Sequence, residues 1–322
     1  MSHNTLRPRI DRSITLHFSG DSGSANVHRI CGWIGSRLTE LCGSHTRIAI
    51  WNGDGMGRNV RAVGRGQVDI AVSTPAAFVA AAVHGRGPYA DESFPHLRAF
   101  GVVPQQDRLV FAIHKDLGIS NFEDLRQSKP ALIVATGAND GNHHVGTAVH
   151  ELLARTSVDV RGWGGTLLED QSPFQSLDRV RAREANAIIH EAVMVPGWQE
   201  IGPDMTFLPL EQDVLNGLRS DLFWPDAVVP GGYFPGAPEF RTLDFSDFLV
   251  YGRADLPDDI AYALAWVLVE TRQGFEAQYH HIPAERSPVT YPLDPMAMSR
   301  TPIPLHPGAA AYYKAALLTR DV

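Results

Sequence analysis

The sequence predicts an α/β protein built on mostly parallel sheets, in about two domains. Three observations carry that prediction. Strand and helix signals alternate along the chain, polar glycine-containing loops stand between many of them, and 322 residues is about twice a typical domain length. A hydrophobic content of 44% can fill two cores and excludes a disordered chain, while two cysteines exclude a disulfide scaffold. The net charge of −8 comes without clustered Lys and Arg, which excludes a nucleic-acid surface, because neutralising phosphates needs such clusters. Small-molecule binding or small-molecule chemistry is what remains.

Apolar and polar residues alternate over 14–18, the pattern of a half-buried strand. The loop Ser19-Gly20-Asp21-Ser22-Gly23-Ser24 then leads into a helix from about Asn26 to Leu41, where Ile30, Trp33, Ile34, Leu38 and Leu41 recur at three- and four-residue spacing. Cys31 and Cys42 fall eleven residues apart on this helix, about 16 Å along it and too far to bridge. A strand at 46–51, the loop 52–57 and a helix ending near Gly64-Arg65-Gly66 come next. Val68–Val72 reads as a strand, and Ser73-Thr74-Pro75 opens another helix. Two apolar runs flank Pro104 within 99–114, followed by a short helix at 122–125 and a strand at 131–135. The polar loop 137–142 opens a helix carrying His143, His144 and His150. A helix near 173–183 precedes the strand Ala187-Ile188-Ile189, after which Pro and Gly punctuate the chain to about 240. One long helix from Asp258 to about Tyr279 and a last one after Pro307-Gly308 close the sequence. Strand–helix–strand repetition of this kind implies right-handed crossovers and parallel pairing.

Residues 1–13 read as an extension without the apolar stretch of a secretory signal, and no run approaches the roughly 18–20 apolar residues of a membrane span. The chain as written is expected to be cytoplasmic and not membrane-spanning; a truncated or mis-assigned start would make it periplasmic.

Several motifs, in order, have a familiar look. They are the segment from Asn59-Val60-Arg61 through Gly64-Arg65-Gly66 to Asp69-Ile70-Ala71, then Pro95-His96-Leu97-Arg98-Ala99. His114-Lys115-Asp116-Leu117-Gly118-Ile119 with Phe122-Glu123-Asp124-Leu125 follows, and later Gly232-Tyr233-Phe234-Pro235-Gly236. Ala254-Asp255-Leu256-Pro257-Asp258-Asp259 and Pro304-Leu305-His306-Pro307-Gly308-Ala309 with Tyr312-Tyr313 complete the series. In this order and spacing the chain resembles the TAXI-type solute-binding proteins of TRAP transporters, within the type II periplasmic-binding-protein-like fold. The resemblance implies two α/β lobes joined by a hinge, closing on a small, often carboxylic, ligand. Residues 14–103 plus 196–322 would form lobe one and 104–195 lobe two, with the chain crossing near Pro104 and after Glu191. TRAP membrane subunits would be the partners of an exported chain. Two loops depart from the family pattern. The first lacks Gly-Gly-Thr and a covering aromatic, and the second reads Asp140-Gly141-Asn142-His143-His144 in place of Gly-Ser-Gly-Thr.

In open α/β sheets ligands sit beyond the carboxyl ends of strands, where helix N-termini offer unpaired N–H groups and a partial positive charge. An acidic ligand can therefore be held without a strong basic cluster, and the family resemblance implies a small organic acid. Candidate ligand-binding residues are Ser19, Ser22, Ser24, Asn52, Ser73, Thr74 and Asn142, which could equally be simple helix caps, together with His144 and Glu191. Trp163, Trp224 and Tyr233 are candidates for stacking, although most such aromatics serve packing. The helix dipole favours a neutral His143 or His144, and His190-Glu191 ends a strand expected to line the cleft. The alternative reading is a cytoplasmic, cofactor-free decarboxylase or lyase on the same fold, acting on a small, perhaps aromatic, acid. His143, His144, His190 and Glu191 would then be its catalytic acid–base residues. No cofactor is expected. Neither is a metal, because His143 and His150 lie about 10.5 Å apart along one helix, too far to chelate one ion.

Overall fold

A computed structural model describes residues 6–21 and 26–316. The chain forms two compact units, divided between Gln106 and Asp107 and again between Phe245 and Ser246. The first unit opens with β1 (Thr15–Ser19), α1 (Asn26–Thr39), β2 (Arg47–Trp51), α2 (Met56–Gly64), β3 (Ile70–Ser73), α3 (Phe78–His84) and β4 (Leu97–Val103). The second carries β5 (Arg108–His114), α4 (Phe122–Ser128), β6 (Ile133–Gly137), α5 (His144–Arg155), β7 (Thr166–Asp170), α6 (Pro173–Arg181) and β8 (Ala187–Glu191). It continues with α7 (Trp198–Ile201), β9 (Met205–Phe207), α8 (Gln212–Leu222), β10 (Asp226–Val229) and β11 (Phe240–Asp244). The chain then returns to the first unit with β12 (Phe248–Arg253), α9 (Asp258–Glu270), α10 (Arg272–Glu276), α11 (Pro295–Met298) and α12 (Pro307–Ala315).

The first sheet has the order β2-β1-β3-β12-β4. Its βαβ part, β2-β1-β3, is parallel as predicted, and β12 runs antiparallel to both β3 and β4. The second sheet has the order β10-β11-β5-β8-β6-β7, with β9 also paired to β5. Here β6 is parallel to β7 and β8, while β5 is antiparallel to β8, β9 and β11. The reversed strands β5 and β12 are the two that enter a unit directly from the other one. No helix lies between the crossing and either strand to turn the chain round.

Residues 196–245, which the resemblance would assign to the first lobe, build the second unit. The cause is packing. Trp198, Met205, Phe207, Val229, Phe234 and Phe240 join Val110, Ala112 and Ile188 in one buried cluster. Phe207 stacks on Phe234 with ring centroids 4.7 Å apart and on Phe240 at 5.4 Å. The second crossing therefore falls at 245/246 instead of after Glu191.

Two helix boundaries also differ from the periodicity. The long helix read over 258–279 breaks at Thr271, whose backbone leaves the helical region and whose hydroxyl accepts from Trp33 Nε1 at 2.9 Å. Helix α1 stops at Thr39, so Cys42 lies beyond it, and both cysteines are free thiols. In the second unit Arg126 of α4 donates to both carboxylate oxygens of Glu211, the residue before α8, at 2.9 and 2.7 Å. The pair is partly solvated, so Arg126→Ala is expected to cost about 1 kcal/mol, read as a shift in the urea midpoint at constant slope.

Candidate functional site

In the first unit the carboxyl ends of β1 and β3 are tied together by one buried side chain, Asn59 of α2. Its Oδ1 accepts from the Ser19 hydroxyl at 2.7 Å, and its Nδ2 donates to the carbonyls of Gly20 at 2.9 Å and Val72 at 3.3 Å. The loop after β2 closes over this staple: Gly53 N–H donates to the Asp21 carbonyl at 3.0 Å. Only glycine fits there, since a Cβ at Gly53 would stand 2.5 Å from the Gly20 carbonyl oxygen and 2.6 Å from Asn59 Oδ1. Asn59 was legible only as part of a family motif, because nothing in a single sequence marks it as buried.

The predicted donors of this unit behave differently from one another. Ser19 is buried and committed to Asn59. Ser73 is buried, with its hydroxyl 2.9 Å from that of Tyr251. Thr74 is half-buried and accepts from Gln105 Nε2 at 2.9 Å, whereas Asn52 is exposed. Ser22 and Ser24 lie outside the described residues. Trp51, at the carboxyl end of β2, is 57% exposed, with its ring 6.3 Å from that of His17.

In the second unit the loop 138–143 stands at the carboxyl end of β6 and opens α5. Asp140 organises it, accepting from the backbone N–H of Asn142 at 2.8 Å and of His143 at 3.2 Å. Burial would raise the Asp140 carboxyl, but these hydrogen bonds and the His143 ring outweigh it and hold it below its ordinary range. His143 is the N-cap residue of α5, and its Nδ1 lies 3.0 and 3.1 Å from the two Asp140 oxygens. The expectation of a His143 governed by the helix dipole is therefore replaced by an ion-pair geometry. His144 is buried in the first turn of α5.

Sheet register separates His190 from Glu191. Thr136 pairs with Ile189, and Glu191 pairs with Leu109, so Thr136, Ile189 and Glu191 share one face. His190 pairs with Val110, which packs with Leu177 and Val180 of α6 on the opposite face. His190 is buried, and burial pushes its imidazole down to about 3 although the charge of Asp170 opposes the shift. Its Nδ1 accepts the Glu191 backbone N–H at 2.9 Å, so Glu191 does not orient it through the carboxylate. The expected acid–base pair is two groups on opposite sides of a sheet.

Asp107, at the start of this unit, is fully buried. Its Oδ1 accepts from the N–H groups of Arg108 at 2.7 Å, Val193 at 3.0 Å and Ala192 at 3.2 Å. Burial pushes its carboxyl up to about 7 against those hydrogen bonds. Glu191 is pushed up to about 8 by burial and by the charge of Asp107. Polar residues 105–108 look in the sequence like a break between apolar runs, which hides this carboxylate.

The aromatic candidates divide. Trp224 is fully buried and serves the core, because the turn after α8 folds it inward: its backbone N–H donates to the Leu218 carbonyl at 3.3 Å. Trp163 is half-buried but precedes β7, at the opposite end of that strand from the loop 138–143. Tyr233 is half-buried, its hydroxyl donating to the Val193 carbonyl at 3.0 Å, two residues beyond Glu191. Among the described residues no group of three or more His, Cys, Asp or Glu side chains is arranged to hold a metal ion, and no helix is long and apolar enough to cross a membrane.

The sequence matches the model of the NMT1-like family over residues 30–316. No curated protein matches it. Among solved structures, XAC2383 from Xanthomonas citri bound to ATP is 13% identical with a TM-score of 0.52, covering 96% of this chain and 100% of that one. A TctC solute-binding protein from Polaromonas, solved with no ligand, is 10% identical with a TM-score of 0.52, covering 95% of this chain and 98% of that one. These likenesses show the fold, a two-lobed α/β architecture of the periplasmic-binding-protein type.

Proposed function

We propose that this chain, which belongs to the NMT1-like family, is a TAXI-like solute-binding protein. It takes a small organic acid and, once exported to the periplasm, hands it to TRAP-type membrane subunits. The observation that carries the reading is the polar rim at the carboxyl ends of β1–β3. There one buried Asn59 fixes Ser19, Gly20 and Val72, and Gly53 closes over them. A rim held this rigidly by hydrogen bonds is pre-organised to receive a polar solute at little entropic cost. The TAXI-type motif order and the fold shared with a solute-binding protein support the same reading. The placement of His190 and Glu191 on opposite faces of the sheet favours this reading over the acid–base alternative.

Proton NMR with a panel of small aliphatic and aromatic acids tests it. At least one acid is expected to show saturation transfer from the protein and to stay chemically intact for hours. New product resonances would replace the receptor by an enzyme, and no saturation transfer to any acid would reject the ligand class.

A further inference from the structure

Glu191 is the anomaly of the second unit. It is half-buried at the carboxyl end of β8, and its carboxylate has no hydrogen-bond or ion-pair partner among the described residues. Polar groups that lose water without gaining a partner are rare in native proteins, because each leaves a desolvation cost of about 1–3 kcal/mol or more. A second, independent orphan stands on the same face: Thr136, at the end of β6, is fully buried and its hydroxyl has no partner. Register places Thr136 beside Ile189, one pleat before Glu191 on the adjacent strand. A buried hydroxyl without a partner and a half-buried carboxylate with no protein partner thus share one face at the carboxyl end of a parallel pair, where α/β proteins place ligands.

The charge around them specifies the missing partner. Asp107 adds a second carboxylate, bonded to the backbone just after Glu191. The nearby cation, Arg108 on β5, is engaged with Asp244 at 2.9 Å. On the other face of β8, His190 is neutral, and Asp170 of β7 is paired with Arg179 of α6 at 2.9 Å. At the start of α5 the N-cap residue His143 is paired with Asp140, and His144 is buried in the first turn. A ligand cation set against the Asp107 and Glu191 carboxyls would favour their ionised forms, whereas a ligand anion would oppose them.

We propose that Glu191 receives a protonated nitrogen of the ligand, with the Thr136 hydroxyl as its neighbour, so that the solute is an organic acid that also carries a basic amine. The inference rests on the solute-binding reading above and narrows its ligand class. Free Glu191 holds its proton at neutral pH, and the incoming cation favours the ionised carboxylate. Binding then releases a proton and tightens as pH rises toward 8, while the amine stays charged.

Matched pairs of acids with and without an amine test this: glycine and acetate, L-alanine and propanoate, L-glutamate and glutarate, para-(aminomethyl)benzoate and para-toluate. Thermal shift and titration calorimetry on the full chain are read at pH 6.0, 7.0 and 8.0. At least one amine-bearing member is expected to raise the melting temperature while its amine-free mate does not. Its Kd is expected to fall at least threefold from pH 6.0 to 8.0. Glu191→Gln, checked for folding by circular dichroism, should weaken it at least tenfold and abolish the pH dependence. Thr136→Val, which keeps the shape, should weaken it about threefold. Equal binding of amine-free mates, unaltered by Glu191→Gln, overturns the inference and leaves the organic-acid reading standing. Binding of no member of either set overturns both.

Discussion

Asn59→Ala is expected to lower unfolding stability by about 3–4 kcal/mol, among the largest effects of any single polar substitution in the first unit. The side chain is fully buried and makes three hydrogen bonds, to the Ser19 hydroxyl and to the Gly20 and Val72 carbonyls. Alanine removes all three at once and leaves those groups without water in their place. Asn59→Asp retains an acceptor for Ser19 but sets a carboxylate against two carbonyl oxygens, so it should be at least as damaging. Urea unfolding followed by circular dichroism reads the change as a lower midpoint. The local consequence is distinct: amide exchange should accelerate at Gly20 and Gly53, whose N–H groups bond the Trp51 and Asp21 carbonyls, before it does in β12. A loss below about 1 kcal/mol, with unchanged exchange at those two amides, would show that the rim does not depend on this side chain.

How far the sequence disclosed this arrangement depends on the kind of signal each residue leaves. The parallel βαβ halves were readable because α1, α2 and α5 carry helical periodicity between short apolar strands. The segment 196–245 was not, because β9 and β10 are three- and four-residue strands, and β9 pairs with β5 far back in the chain. Short strands lack the length to establish a period of two, and their membership of a unit is decided by aromatic packing around Phe207. Trp224 illustrates the same limit. Its position before Pro225 reads as an open loop, yet the turn after α8 buries it completely. Within the site, Glu191 was legible as a polar residue ending an apolar strand. Its unsatisfied partner Thr136 was not, since only strand register brings residues 136 and 191 onto one face. Asp107 is invisible for a related reason: two of its backbone donors, Ala192 and Val193, are more than eighty positions away.

The same two carboxyls set the pH dependence of the unliganded fold. Asp107 rises to about 7 and Glu191 to about 8 in the folded chain, each first of all through burial. Unfolded, both return to about 4. Between those limits the folded state holds more protons than the unfolded one, so their contribution is fully present at acid pH and is lost as pH rises. His190 works in the opposite sense over a lower range. Its folded value is depressed to about 3, so the folded state holds fewer protons than the unfolded one up to about pH 6.5, and the penalty vanishes above that. Above pH 6.5 only the carboxyl slope remains. Unfolding free energy is therefore expected to fall from pH 6.5 to 8.5 by about 2 kcal/mol, measured by urea titration at half-unit steps. Glu191→Gln should flatten most of that slope and raise stability at pH 8, because it removes a charge that the free protein leaves uncompensated. A ligand that supplies the missing cation should flatten it in the same way without any substitution. Stability that is constant or rising over this range would mean that both carboxylates ionise at no cost in the fold. That result would leave Glu191 with no energetic reason to seek a cation.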